Sequence, residues 1–251
     1  MGRLEGKRAV ITGGTTGIGL ATAQLFLQEG ARVAITGQNP DRLDEARRTL
    51  GPDALVIKSD AGSISDTEAM VAEVGRAFGG IDVLFLNAGI AKFAPLAQVT
   101  EPFFDEHFDV NVKGVLFTVQ KADPLLQPGA SIVVTTSNSN RMGLANAVVY
   151  AATKAAARSM VRVLASELAP RRIRVNAVCP GPIETPIFGK LGLPPEQLQA
   201  IAAGMLTKIP LGRTGQPDEI ARVALFLASD DSSFMTGAEI VADGGWTDVG
   251  T

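Results

Sequence analysis

A single doubly wound α/β domain is the fold this sequence predicts, with parallel strands alternating with helices on both faces. Three observations predict it. Short β-branched runs such as Ser131-Ile-Val-Val-Thr-Thr136 alternate with longer helical stretches along the chain. The first such run, Arg8-Ala-Val-Ile-Thr12, leads straight into a glycine-rich turn and then a helix. A third stretch, Val148 to Leu168, has no internal Gly or Pro and reads as helix, and it carries Tyr150 and Lys154 four residues apart on one face.

Composition narrows the function classes. The chain has 251 residues, 46% of them hydrophobic, enough for a substantial core. A net charge of −3 argues against a nucleic-acid or anionic-membrane surface. A lone cysteine, Cys179, excludes an internal disulfide framework and a cysteine-based zinc site. A lone histidine, His107, makes a histidine triad or metal cluster hard to build, so no metal site is expected and His107 is read as structural. No stretch approaches the roughly 20 apolar residues of a membrane span, and the N-terminus lacks the apolar core of a signal peptide. A cytoplasmic protein of one domain, residues 1–251, is the expectation.

The elements follow in order. After the first strand, Gly13, Gly17 and Gly19 have the spacing Gly-x-x-x-Gly-x-Gly, with Thr15 and Ile18 between them, and a helix continues from Leu20 to Gln28. Small residues there let the backbone approach a pyrophosphate, and a helix N-terminus offers unpaired N–H groups. Strand two, Ala31–Thr36, ends at Gly37-Gln38-Asn39. An acid at such a strand end accepts from a ribose 2′-hydroxyl, whereas a base attracts a 2′-phosphate. Neither is present, and Arg42 is assigned to the solvated face of the next helix. Strand three, Ala54–Ser59, ends at Asp60-Ala61-Gly62; a helix covers Ser65–Phe78, which Asp60 would also be placed to cap. Strand four, Asp82–Leu86, runs into Asn87-Ala88-Gly89. One long helix is expected from Glu101 to Lys121, with Asn111 on an otherwise apolar face, a costly placement unless its amide is used. Strand five ends at Ser137, with Ser139 a competing hydroxyl, and Asn138 to Arg141 is an unusually polar run. On the Tyr150 helix, the Lys154 ammonium is expected to favour the phenolate and bring the phenol towards a working pH. Strand six, Arg174–Cys179, leads into Pro180-Gly181-Pro-Ile183-Glu-Thr185. Residues 186–210 break the strand–helix rhythm with an apolar loop. A turn and helix to Ala228 and a last strand and turn within 236–245 complete the chain.

Thr12-Gly-x-x-x-Gly-Ile-Gly19, Asn87-Ala-Gly89, Tyr150-x-x-x-Lys154 and Pro180-Gly-x-x-x-Thr185 together resemble the short-chain dehydrogenase/reductases of the classical type, over essentially the whole chain. The resemblance implies a doubly wound Rossmann fold with seven parallel strands in the order 3-2-1-4-5-6-7. It implies a catalytic set of Asn111, Ser137, Tyr150 and Lys154, with Ser137 thirteen residues before Tyr150 as in many members. It places Asp60 and Ala61 at the adenine, Asn87–Gly89 beside the ribose, and Pro180, Gly181, Ile183 and Thr185 at the nicotinamide carboxamide. The 186–210 loop would be a substrate lid, and the assembly a homotetramer.

The leading expectation is an oxidoreductase moving a hydride between NADP(H) and a small secondary alcohol or ketone. NADP(H) is favoured because Gly37 leaves no carboxylate to repel a 2′-phosphate, and Gln38, Asn39 and Thr15 can donate to it. NAD(H) use, a non-catalytic dinucleotide-binding regulator, and an epimerase or dehydratase sharing Tyr-x-x-x-Lys are the alternatives.

Overall fold

The computed structural model describes residues 2–185, 196 and 204–249. Among them, seven parallel strands form one sheet: β1 (Arg8–Ile11), β2 (Arg32–Gly37), β3 (Ala54–Lys58), β4 (Ile81–Leu86), β5 (Leu126–Thr135), β6 (Arg174–Pro180) and β7 (Glu239–Ala242). Their order is β3-β2-β1-β4-β5-β6-β7, as expected. The helices are α1 (Gly17–Gln28), α2 (Pro40–Leu50), α3 (Ile64–Phe78), α4 (Glu101–Phe108), α5 (Gly114–Ala122), α6 (Val148–Leu168) and α7 (Pro217–Ala228).

Successive strand residues point to opposite faces of a sheet, and that alternation builds two cores. Val10, Leu84, Ile132 and Val134 pack with Met70 and Val74 of α3, Val115 and Val119 of α5, and Val161 of α6. Their neighbours Ile11, Phe85 and Val133 pack on the other face with Phe26 of α1, Leu43 of α2 and Ile220 and Leu225 of α7. Strands buried on both faces read as near-continuous apolar runs, which is why they were legible in the sequence.

Local signals set the helix ends. Asn39 accepts from the Arg42 N–H at 3.0 Å, with Pro40 opening α2. Ser63 rather than Asp60 caps α3, accepting from Asp66 N–H at 3.2 Å, and Gly79 closes it at φ 73°. The helix expected from 101 to 121 is interrupted. A π-turn, Asp109–Lys113, separates α4 from α5 and contains Asn111. Such turns commonly mark functional positions. The first helix starts at Gly17, three residues before the expected Leu20, so Gly17-Ile18-Gly19 form its first residues. No helix among the described residues is long and apolar enough to cross a membrane.

Candidate active site

The strand order reverses between β1 and β4, and a crevice outside the carboxyl ends at such a point is where α/β sheets bind ligands. Four turns meet there. Thr12 links two of them: its hydroxyl accepts from the N–H groups of Asn87 and Ala88, each at 3.1 Å, while the Asn87 amide donates to Thr12 O and Gly13 O. The glycines are required by this proximity. A Cβ on Gly19 would lie 2.3 Å from Gly13 O, and one on Gly13, which adopts φ 63°, would lie 2.8 Å from Ala88 Cα. Thr16 precedes α1 and makes no side-chain cap bond. The first N–H groups of α1 therefore lack that partner, at a glycine turn whose backbone is clear of side chains. This cradle fits a dinucleotide pyrophosphate.

At the ends of β2 and β3, the Gln38 amide does not stand open. Its Nε2 donates to Asp60 Oδ1 at 2.7 Å, and that oxygen also accepts from Gly62 N–H at 2.8 Å. Ala61 lies against the π-turn region, since a Cβ on Gly114 would meet Ala61 O at 2.3 Å. Gly37 is pressed on Thr15, whose Cγ2 would be 2.5 Å from an added Cβ.

Lys154 reaches across α6 to the end of β5, donating from Nζ to Thr135 O at 2.9 Å. It is 5% exposed, and burial lowers its pKa to about 8. A Cβ on Gly89 would sit 3.4 Å from Lys154 Nζ and 3.2 Å from Asn111 Oδ1, so Gly89 lies directly against both. Asn111 uses three of its four amide positions: Oδ1 accepts from Ile90 N–H, and Nδ2 donates to Ile90 O and to the Thr153 hydroxyl, all at 2.9–3.0 Å. Thr153 in turn donates to Tyr150 O at 2.7 Å. His107, one turn before Asn111, joins the same strap: Nε2 accepts from Lys92 N–H at 3.2 Å, and Nδ1 bonds Phe103 O. Phe93 then packs its ring on Tyr150 edge to face, with centroids 5.7 Å apart.

The phenol differs from expectation. Burial pushes the Tyr150 pKa above its ordinary value; the Ser137 hydroxyl works in the other direction but is the smaller influence. Lys154 Nζ is 5.8 Å from the Tyr150 ring centroid and turned towards Thr135, so desolvation outweighs the ammonium in the protein alone.

Three residues of the polar run after Ser137 pair within the protein, whereas the buried Asn138 Nδ2 has no partner among the described residues. Ser139 donates to Ser137 Oγ from its N–H at 3.2 Å and from its hydroxyl at 3.0 Å. Asn140 donates to Glu239 at 2.9 Å, and Arg141 pairs with Asp248 at 3.1 Å. Ser139 is thus a partner of Ser137 rather than its rival. On the fourth turn, Gly181 packs against Asp243, where a Cβ would lie 2.6 Å from Asp243 Cβ, and its N–H bonds Ala242 O. Ile183 bridges to Gly215, Pro180 ends β6, and Thr185 is the last residue described before the proposed lid. Most of that lid lies outside the described residues. Cys179 is buried, with its thiol pushed up to about 12, and is inert.

Known proteins match this arrangement. A family described as Enoyl-(Acyl carrier protein) reductase matches residues 13–247. A 3-oxoacyl-(acyl-carrier-protein) reductase of Thermotoga maritima is 44% identical over 251 residues, covering 97% of this chain and 98% of that protein. The oxidoreductase asL5 of Sarocladium schorii is 40% identical over 249 residues, covering 98% of each. A solved short-chain dehydrogenase/reductase of Brucella melitensis, titled glucose/ribitol dehydrogenase, superposes with a TM-score of 0.87 at 37% identity over 98% of each chain. The chain belongs to the classical short-chain dehydrogenase/reductase family. Membership makes it an oxidoreductase with a nicotinamide dinucleotide as cofactor. Sequence reasoning missed Thr12, Thr153 and Phe93. Thr12 and Thr153 lie inside motifs and Phe93 four residues after Gly89, but only the fold reveals what each touches.

Proposed function

We propose that this short-chain dehydrogenase/reductase is an alcohol dehydrogenase or carbonyl reductase moving a hydride between NADP(H) and a small secondary alcohol or ketone. The observation that carries the reading is the convergence of Ser137, Tyr150 and Lys154 beside the glycine cradle. Ser137 Oγ accepts from Ser139 twice over, which leaves its own hydrogen to donate to a substrate carbonyl. Tyr150, protonated at neutral pH, gives its proton to that oxygen in reduction and takes it back in oxidation. Lys154 holds the cofactor ribose and, once paired there, favours the phenolate during transfer. Asn111, in the π-turn, holds the water that relays the proton. A nicotinamide dinucleotide, when bound, would supply or accept the hydride.

Gly13, Gly17, Ile18 and Gly19 would hold the pyrophosphate, Thr15, Gln38 and Asn39 the 2′-phosphate, Asp60 and Ala61 the adenine, and Asn87–Gly89 the ribose. Pro180, Gly181, Ile183 and Thr185 would orient the carboxamide. The cytoplasm is the proposed location and a homotetramer the proposed assembly; exposed Leu116, Val163 and Phe234 support further burial, and sedimentation tests it.

Following reduced-cofactor absorbance over a panel of aliphatic, aryl and cyclic ketones and acyl thioesters tests the reaction. Tyr150→Phe is expected to abolish turnover while cofactor binding survives; near-normal kcat in that variant would overturn the assignment, and no turnover by the unmodified chain would favour a regulator.

NAD(H) is the second reading, because the Gln38 donor is engaged by Asp60 and Asp41 stands in the first turn of α2. The NADP(H) preference is accordingly modest, about tenfold in kcat/KM, from neutral hydrogen bonds of roughly 1 kcal/mol each. Gln38→Arg should strengthen it. Gly37→Asp should reverse it, but only alongside Thr15→Ala, since Thr15 occupies the space.

A further inference from the structure

A carboxylate about a hundred residues along the chain grips both ends of the turn that presents Ser137. Glu239 stands on β7 with its side chain 9% exposed. Its Oε1 accepts from the Thr136 hydroxyl at 2.7 Å and from Asn140 Nδ2 at 2.9 Å. Thr136 immediately precedes Ser137, and Asn140 closes the single 3-10 turn that Ser137 opens. The other oxygen faces Arg158 Nε at 3.5 Å. Arg158 lies on α6 one turn beyond Lys154 and two beyond Tyr150, so the three share a helix face.

Glu239 is itself firmly seated. Ala177 of β6 pairs with it in the sheet. The buried Asn176 beside that pair donates to Met235 O at 2.8 Å and accepts from Ala238 N–H at 3.0 Å, fixing the entry to β7. A carboxylate taken out of water costs several kcal/mol unless it is paired and hydrogen-bonded. An apolar residue would serve a strand at this depth without that cost. Among the described residues the Asn140 amide nitrogen bonds no other acceptor, and the Thr136 hydroxyl has only Val178 O, at 3.1 Å, as an alternative.

We propose that Glu239 is a positioning residue. It ties the serine turn to the helix carrying Tyr150 and Lys154, and so sets the Ser137 hydroxyl and the phenol in one frame. The inference rests on the proposed role of Ser137 and goes beyond it by naming what aims that hydroxyl.

A double-mutant cycle tests it. Arg158→Met, which by itself cuts the tie to α6 and should already lower kcat, and Glu239→Leu in that background, which leaves no guanidinium unpaired, are each combined with Ser137→Ala. The readouts are kcat and KM for the best ketone of the panel, cofactor Kd by nucleotide fluorescence, and Tm. Losing charge-assisted bonds to the turn should lower kcat about tenfold. Cofactor Kd should be unchanged, and the loss should vanish in the Ser137→Ala background, where there is no hydroxyl to aim. Glu239→Gln, which keeps an acceptor for Thr136 and Asn140, should restore most of the loss. Equal losses in both backgrounds, or none, overturn the inference alone. Full turnover by Ser137→Ala overturns the role of Ser137 and the inference with it. Where Glu239→Leu does not fold, Asn140→Ala cuts one tie and leaves the ion pair; it should show the same dependence on Ser137 with a loss of about threefold.

Discussion

The glycine turn after β1 and the serine turn after β5 lie at the same end of the sheet and handle their polar groups in opposite ways. The glycine turn leaves N–H groups of α1 without a side-chain cap and clears side chains away, so that backbone approaches backbone at Gly13, Gly19 and Ala88. The serine turn binds up its own polarity. Ser139, Asn140 and Arg141 all pair within the protein, and Ser137 keeps its donor hydrogen. One turn recognises through shape and backbone, the other through a single aimed side chain. Damage to the first should therefore be steric and fall on cofactor binding. Damage to the second should be chemical and fall on turnover.

The largest effect should come from Gly19→Val. Its Cβ would fall 2.3 Å from Gly13 O, which forces the turn open. Cofactor Kd, measured by fluorescence, should rise by more than about 1,000-fold, at ~1.4 kcal/mol per decade, whereas Ser137→Ala should leave Kd unchanged. A loss of cofactor affinity in Ser137→Ala would break the contrast.

Lys154 sits between the two turns and gives a pH test. The folded chain releases its proton near pH 8, while the unfolded chain holds it to about 10.5. Between those values the unfolded state binds more protons, so stability without cofactor should rise with pH across that window and be flat below it. Lys154→Met should remove the rise. It should also stabilise the cofactor-free protein at pH 7 by up to about 3 kcal/mol, at ~1.4 kcal/mol for each tenfold change. Denaturant titrations at pH 7 and pH 10 read both outcomes.

Ser139→Ala removes the side-chain half of the Ser137 support and keeps the backbone half. A loss of about fivefold in kcat with unchanged cofactor Kd is expected for one neutral bond worth ~1 kcal/mol. An unchanged kcat would show that the backbone bond alone aims Ser137.

The smallest effect separates positive φ from close approach. Arg172 adopts φ 60° in the turn before β6, a conformation costing roughly 1–2 kcal/mol for a residue with a side chain. Arg172→Gly should stabilise the protein by about 1 kcal/mol, read as a rise of roughly 2–4 °C in Tm, with activity unaltered. At Gly13 the same backbone region coincides with a neighbour 2.8 Å away, so there the reverse exchange should fail on contact as well as on strain.

The sequence by itself determined what depends on neighbours a few residues away. Strand and helix alternation, the glycine spacing, and the shared face of Tyr150 and Lys154 all follow from local periodicity and steric rules. Tertiary structure decided what depends on partners brought together from afar. Ser137 and Tyr150 meet only because α6 packs against the turn that follows β5. Within the polar run Asn138–Arg141, Asn140 and Arg141 are tied to Glu239 and Asp248, 99 and 107 residues away. Gln38 is drawn to Asp60 across 22 residues, and the Glu101–Lys121 helix breaks into a π-turn where Asn111 clamps Ile90. Burial, which no local pattern specifies, sets the Tyr150 and Lys154 proton affinities against the simple effect of adjacent charge. The physical reason is one of range: backbone propensity and helical spacing act within a turn or two, whereas desolvation and side-chain pairing depend on which distant segments the sheet order brings together.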